Sequence, residues 1–249
     1  MLLQRMFDLL VACTLLVLLS PVLIILMILV WRQDRHSPLY IAPRAAKGGG
    51  AFSMYKLRSM IINADSNQVD STSAKDPRIT NLGRFIRKCK FDEFPQLWNV
   101  IKGDMSLVGP RPNVLRETAL YTQEEQQLLN IRPGITDLAS IVFADEGDIL
   151  KDSTDPDGDY HRLIRPWKNH LALIYVKNPS FSIYFSCLIL TAMTFFDRKR
   201  ALEAVSKIAL LNNASKEVVE IAKRRSALVE APPPGGTSVV RTRSLAGST

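Results

Sequence analysis

Cysteine, histidine and acidic side chains are all scarce in this chain. Its 249 residues hold three cysteines, three histidines and 24 Asp or Glu against 32 Lys or Arg. Cys13 and Cys187 fall inside apolar blocks and Cys89 stands alone, which excludes a disulfide framework and a metal-knuckle spacing and points to a reducing compartment. His36, His161 and His170 are too scattered to form a metal motif, so each reads as a surface or packing residue. The deficit of acids leaves a formal charge of +8 and a pI near 9.5, which implies an anionic partner: nucleic acid, acidic lipid headgroups or a phosphorylated small molecule. Aromatics make up only 8% and are not interleaved with the basic runs, which disfavours nucleic acid.

What is abundant is apolar. At 47% the apolar content excludes general disorder, and the length suits one good core or two small ones. It is concentrated in two blocks, Leu9 to Trp31 and Phe181 to Phe196. The first would reach ~34 Å as a straight helix, enough for a hydrocarbon core of ~30 Å. No small-residue cleavage site follows it, so it does not read as a signal peptide. Ser20-Pro21 stands near its middle, where proline removes a backbone hydrogen bond and kinks a helix, while a serine hydroxyl can partner a freed carbonyl. A spanning helix is the plainer reading of these residues. A helix that enters one leaflet and returns also fits, because Arg5 precedes the block and Arg32, Arg35, Arg44 and Lys47 follow it, placing basic flanks on one anionic face.

Further along, two extended stretches around Gly48-Gly49-Gly50 predict a hairpin. A phosphate-cradling loop is the sharper alternative, but no Lys-Ser or Lys-Thr follows in the required pattern. Asn63 to Thr80 reads as polar loop and Asn81 to Lys88 as a short basic helix. Helical spacing then puts Phe94, Leu97, Trp98 and Ile101 on one face, with Gly103 as the stop. Glu117 to Asn130 reads as a polar helix, Arg132-Pro133-Gly134 as a turn, and the chain from Leu171 onward as mostly helical. Phe181 to Phe196 is expected to lie at a membrane interface, with a buried core helix as the alternative. Ala201 to Glu230 is expected as an amphipathic helix or pair, and residues 231–249 as a disordered basic tail. These expectations divide the chain at 1–36, 37–180, 181–230 and 231–249.

The stretch Lys90-Phe-Asp92-Glu93-Phe94-Pro95-Gln96 sets two carboxylates side by side in a basic chain. If a helix begins near Asp92, Pro95 falls in its first turn and the acids sit at its positive end. On that reading Asp92 is an N-cap and Glu93 a first-turn acid, serving the helix alone. The surroundings favour more. Arg84, Arg87, Lys88 and Lys90 lie upstream, and Pro110-Arg111-Pro112 follows the helix on a stiff element that can aim a guanidinium. Planar guanidinium groups suit bidentate capture of phosphate oxygens, so anions among cations here point to phosphoryl transfer.

Lys56-Leu-Arg58-Ser-Met60, Asp76-Pro-Arg78, Asp92-Glu93-Phe-Pro95-Gln96, Lys102-Gly-Asp-Met-Ser-Leu-Val-Gly109-Pro110-Arg111-Pro112 and Arg132-Pro133-Gly134-Ile-Thr136 occur in that order. Together with Arg5-Met-Phe-Asp8 and Ser20-Pro21, this series resembles the bacterial sugar transferases, the small monotopic phosphoglycosyl transferases, over roughly residues 1 to 180. The resemblance implies an α+β, mostly helical, monotopic membrane protein. It would have a re-entrant N-terminal helix broken at Ser-Pro, a small cytosolic catalytic domain and interfacial amphipathic helices, at the cytosolic face of a bacterial inner membrane. It implies Asp92 as a nucleophile on the β-phosphate of a UDP-sugar, with release of UMP, Glu93 as the ligand of a required Mg²⁺, and polyprenol phosphate as acceptor. By similarity Arg87 and Arg111 hold phosphate oxygens with Lys56 and Arg58 nearby, and Pro110, Pro112 and Arg132 shape the nucleotide end.

One stretch departs from the family. After Thr136, where many members continue Gly-Trp-Ala with an Asn-Gly-Arg element, this chain reads Asp137-Leu-Ala-Ser-Ile-Val-Phe-Ala-Asp145-Glu146, which resembles a variant branch of the family and leaves the sugar pocket unassigned. The stretch after Phe196 is an addition, for which partner or self association, including a homodimer, is the expectation. The rival function is a non-catalytic membrane adaptor that holds acidic lipids or a partner protein.

Overall fold

The computed structural model describes residues 2–67 and 71–240. Helix α1 (Leu2–Asp34) is followed by the antiparallel pair β1 (Leu39–Ala45) and β2 (Ala51–Leu57), joined by a tight turn at Lys47–Gly49. Gly48 and Gly49 take positive φ there, so the predicted hairpin is present and its glycines make the turn. Next come α2 (Asn81–Lys88), a 3₁₀ turn at Phe91–Glu93, α3 (Gln96–Lys102), β3 (Ser106–Val108), α4 (Leu115–Thr118) and β4 (Gly134–Thr136). Helices α5 (Leu138–Val142), α6 (Glu146–Ile149), α7 (Pro156–Asp159), α8 (Arg165–Lys177), α9 (Phe181–Met193), α10 (Arg198–Leu211) and α11 (Lys216–Lys223) complete a mostly helical α+β chain.

Strands β3 and β4 pair in parallel, Ser106 beside Gly134 and Val108 beside Thr136. The predicted Arg-Pro-Gly turn thus leads straight into a strand. The approach demands glycine: a Cβ on Gly134 would stand 2.1 Å from the Gly109 nitrogen, well inside contact distance. That crossing brings the GDMSLVGPRP and RPGIT stretches side by side.

The break expected at Ser20-Pro21 is absent: helix α1 runs unbroken through Pro21, where the Ser20 hydroxyl donates to the Val17 carbonyl at 2.8 Å. It is the one helix among the described residues long and apolar enough to cross a membrane. Both of its ends rest on the same body. Near the start, buried Asp8 accepts from Ser106 Oγ (2.8 Å), Leu107 N–H (3.0 Å) and Tyr184 O–H (2.6 Å). Arg5 donates to the Val100 and Ile101 carbonyls at the C-terminal end of α3, where orphan carbonyls need donors. Near the finish, Leu26 and Val30 join Leu57 and Ile86 in a small core, and Asp34 pairs with Arg58. Between these anchors Leu15, Val17, Leu18, Val22, Ile24 and Ile25 are exposed.

The main core gathers β3, α5, α8 and the inner faces of α9 to α11. Helix α9 divides: Ile183, Tyr184, Cys187 and Leu190 are buried, whereas Phe181, Phe185 and Ile189 are exposed. The core-helix reading of that block describes its buried face, and the opposite face is left uncovered.

Several expectations are corrected. Trp98 is exposed, and the inward face of α3 is Gln96, Leu97, Asn99 and Val100. The reason is polar: Asn99 accepts from Tyr55 N–H and donates to the Ser53 carbonyl and to Asp104, fixing α3 on β2 with its apolar stripe turned. Glu117 to Asn130 is not one helix. It breaks after α4 and resumes as a 3₁₀ turn at Glu125–Asn130, because Glu125 is fully buried against Arg165 (2.8 Å) and Asn169 (2.6 Å). The expectation of a disordered tail fails for 231–236: Ala231 N–H bonds the Arg162 carbonyl, the Thr122 hydroxyl bonds the Pro234 carbonyl, and Trp167 Nε1 bonds the Val229 carbonyl. Residues 68–70 of the expected polar loop and 241–249 of the tail lie outside the described residues. The addition after Phe196, read for partner or self association, packs on its own chain through α10 and α11.

Candidate active site

A cavity of about 1460 Å³ opens beside the hairpin and is lined by Lys56, Arg87, Asp92, Glu93, Arg111 and Pro112 among others. Seven of the nine residues singled out from the sequence, Arg58 among them, thus meet on one surface with Arg44, Arg84, Lys88 and Lys90.

The carboxylates reach it differently from expectation. Helix α3 begins at Gln96 with Pro95 as its flanking residue, and neither acid caps it. Asp92 and Glu93 instead occupy the separate 3₁₀ turn, entered through Lys90 in the left-handed region at φ 57°. The bracketing aromatics hold this turn: Phe91 meets Phe94 edge-on with centroids 5.1 Å apart and leans on Phe85 at 6.2 Å. Thus the reading of Asp92 as a helix cap is corrected, and its burial has no capping rationale.

Asp92 is 8% exposed, and its Oδ1 has no hydrogen-bond partner. A buried carboxylate oxygen left unpaired is costly, and such an oxygen at a cavity wall is free to meet a ligand. Burial pushes the Asp92 carboxyl above the usual aspartate range against the pull of Lys56. For Glu93 burial also works upward, but Arg111 and Lys56 outweigh it and hold its carboxyl at about 2. Arg111 donates to Glu93 Oε1 at 2.5 Å, and that pairing raises the guanidinium pKa further. Burial, helped by Arg111, brings the Lys56 ammonium down to about 8. Arg87 is oriented by a 3.0 Å bond from Nε to Ser59 Oγ. Two neighbouring carboxylates therefore differ, one firmly ionised and paired, the other unpaired and more basic.

The remaining predicted site residues divide. Arg58 lines the cavity but spends its fork on Asp34, with Nη2 to Oδ1 at 2.7 Å and Nε to the Ser37 carbonyl at 2.8 Å. That pairing fastens the end of α1. Pro110 faces the rear, where its carbonyl accepts from Gly134 N–H, and it borders a small cleft with Tyr121 and Pro133. Arg132 is exposed and outside the cavity wall.

Sequence reasoning missed Ser59, which aims Arg87, and the pair Glu146–Lys168 (2.7 Å), which lines the same cavity. Ser59 carried a signal, since it sits inside the quoted Lys-Leu-Arg-Ser-Met series. Lys168 carried none, because the fold alone brings it from 22 residues away to Glu146.

The donor set suits a hard divalent cation. Among the described residues no three His, Cys, Asp or Glu side chains cluster as a metal site, so the protein offers at most the Asp92–Glu93 pair. Mg²⁺ commonly takes one or two carboxylates and fills its remaining positions with phosphate oxygens and water. The unpaired Asp92 Oδ1 beside Glu93 fits that habit.

Comparison with known proteins gives the family. The family model described as bacterial sugar transferase matches residues 1–198. The UDP-galactose-lipid carrier transferase of Erwinia amylovora is 40% identical over 151 residues, covering 55% of this chain and 31% of that protein. The undecaprenyl-phosphate galactose phosphotransferase of Salmonella typhimurium is also 40% identical, over 55% of this chain and 32% of its own length. The exopolysaccharide production protein ExoY of Sinorhizobium fredii is 39% identical over 55% of this chain and 68% of its own. The chain thus spans about a third of the length of the first two relatives. With the family model matching from Met1 through Arg198 and the motif residues gathered in one cavity, the chain belongs to the bacterial sugar transferase family.

Proposed function

We propose that this chain is a phosphoglycosyl transferase that moves a sugar-1-phosphate from a UDP-sugar to polyprenol phosphate, opening a bacterial surface glycan pathway. The observation that carries this reading is the buried, unpartnered Asp92 Oδ1 on a cavity lined by Lys56, Arg87 and Arg111.

In the first step a carboxylate oxygen of Asp92 bonds to the β-phosphorus of the donor. The bond from that phosphorus to the bridging oxygen breaks, and its electron pair leaves with UMP. In the second step a phosphate oxygen of polyprenol phosphate attacks the same phosphorus and the Asp92 carboxylate departs, giving polyprenyl diphosphate sugar. Carboxylate nucleophiles of this kind are a known solution to phosphoryl transfer.

The obstacle is repulsion. A carboxylate ~4 Å from one phosphate charge meets ~4 kcal/mol at an effective dielectric of 20. Lys56, Arg87 and Arg111 offset it by binding phosphate oxygens, and Arg111 also keeps Glu93 ionised. Glu93, with Asp92 close by, would hold Mg²⁺, which when bound supplies further cancellation of the diphosphate charge. The raised basicity of Asp92 strengthens it as a nucleophile.

The membrane half of the reading rests on α1. Its two ends pack on one body at Asp8 and at Asp34, which supports a helix that enters and leaves a bilayer on one side. The basic flank Arg32, Arg35, Arg44 and Lys47 supports the cytosolic side. The exposed row Phe181, Phe185 and Ile189 on α9 supports a second contact with the interface.

The test is donor turnover. Purified protein with a panel of UDP-sugars and Mg²⁺ is expected to release UMP and to show ping-pong kinetics with polyprenol phosphate. Unchanged membrane function in Asp92→Asn, with no UMP release by the wild type, would favour the adaptor instead.

A further inference from the structure

The two arginines that bind Asp145 come from the C-terminal extension. Arg198 donates from Nη1 to Asp145 Oδ2 at 2.9 Å and from Nη2 to the Val142 carbonyl at 3.1 Å. Arg224, closing α11 in a left-handed conformation, reaches the same Oδ2 at 3.3 Å and lies over the Phe143 ring at 5.5 Å. Arg198 is the last residue of the family match and Arg224 lies 26 positions past it.

Asp145 precedes Glu146, and the run from Phe143 to Asp148 lines the cavity that holds Asp92. Glu146 pairs with Lys168 at 2.7 Å, and Lys168 stands over the Tyr160 ring at 5.4 Å. This wall differs chemically from the cationic wall of Lys56, Arg87 and Arg111. A carboxylate repels phosphate oxygens but accepts from hydroxyls, and an ion pair beside a phenol offers both donors and acceptors. Uncharged polyhydroxy compounds suit it.

We propose that Glu146 and Lys168 read the hydroxyls of the transferred sugar, and that Arg224 and Arg198 act as positioning residues that hold this wall through Asp145. The inference rests on the transferase reading above and adds the subsite and its support. It also gives the C-terminal extension a task inside its own chain: α10 and α11 close over α5 and α8 and deliver the clamp. A mispositioned wall loses hydrogen bonds to particular hydroxyls and leaves the diphosphate contacts intact, so discrimination among sugars changes. A subsite for the ribose, common to all UDP donors, would weaken every donor alike.

The experiment compares kcat/KM for UMP release across a set of UDP-sugars that differ at single hydroxyls, for the wild type, Glu146→Gln, Arg224→Gln and Arg224→Lys, with melting curves recorded for each. Glu146→Gln keeps every contact of the extension, so it reads the wall even where Arg224→Gln melts early. The expected result is a change of about tenfold in the ratio between the preferred donor and its epimer, the size of one lost charged hydrogen bond, carried mainly in KM. Arg224→Lys is expected to recover part of it. An active wild type whose donor ratios are the same in Glu146→Gln and Arg224→Lys, or fall uniformly across donors, overturns the inference alone. A wild type that releases no UMP from any donor overturns the transferase reading and this one together.

Discussion

Asp92, Glu93 and Lys56 are three neighbouring ionisable groups, the first pushed up and the other two down, and the proposed chemistry depends on that separation. For free enzyme, kcat/KM should rise with pH as Asp92 ionises, on an acid limb above the ordinary aspartate range because burial raises its pKa. It should fall as Lys56 loses its proton near 8. Lys56→Arg keeps a cation above that pH and is expected to remove the alkaline limb near 8, which a pH profile of both proteins checks; an unchanged limb would clear Lys56 of the role. Arg111→Ala leaves Glu93 buried without its 2.5 Å partner and should lower kcat/KM by about a hundredfold or more, in line with the ~3–5 kcal/mol typical of breaking a buried pair. The adjacent acids, the basic approach and the stiff Pro-Arg-Pro were visible as residue types. Visible too was Arg58, but not that Asp34 would claim it, because that pair closes across 24 positions only when α1 docks.

Short polar anchors, more than helical propensity, decide where the elements lie. Asp8 ties α1 to β3 and α9 through three hydrogen bonds; Asp8→Ala strips all three partners and is expected to cost roughly 3 kcal/mol or more, read as a lower melting temperature in detergent. An unaltered melting point would contradict that role. At the β3–β4 crossing Gly134→Ala should be comparably harmful, since its Cβ would meet the Gly109 backbone. Periodicity revealed α2, α3, α9 and the C-terminal pair, where local pattern and packing agree. It failed at Glu117 to Asn130 and at Trp98, where buried Glu125 and Asn99 find partners distant in sequence and overrule the apolar pattern. The tail was misjudged for a related reason: Pro232-Pro233-Pro234 reads as disorder by composition, yet Trp167 Nε1 donates to the Val229 carbonyl ahead of the run and the Thr122 hydroxyl to the Pro234 carbonyl that ends it.

At the scale of the molecule, one long apolar helix has both ends fixed to one body, and its middle is exposed, as are Phe181, Phe185 and Ile189 of α9. If α1 enters and leaves one leaflet, Leu3→Cys and Arg35→Cys, each in a background without native cysteines, should react with an impermeant maleimide from the same side of sealed vesicles; opposite sides would contradict it. Whole-molecule economy also explains the charge. On the proposed function, cations that meet anionic lipids and a diphosphate donor outnumber the few acids, and two of those acids stand together in the cavity. The central claim is that Asp92 carries the phosphosugar between donor and acceptor. The most direct measurement is peptide mass spectrometry of protein quenched after exposure to a UDP-sugar and Mg²⁺ without polyprenol phosphate. The account predicts a peptide containing Asp92 heavier by one phosphosugar and no such mass in Asp92→Asn; the adduct on another residue, or its persistence in Asp92→Asn, would contradict it.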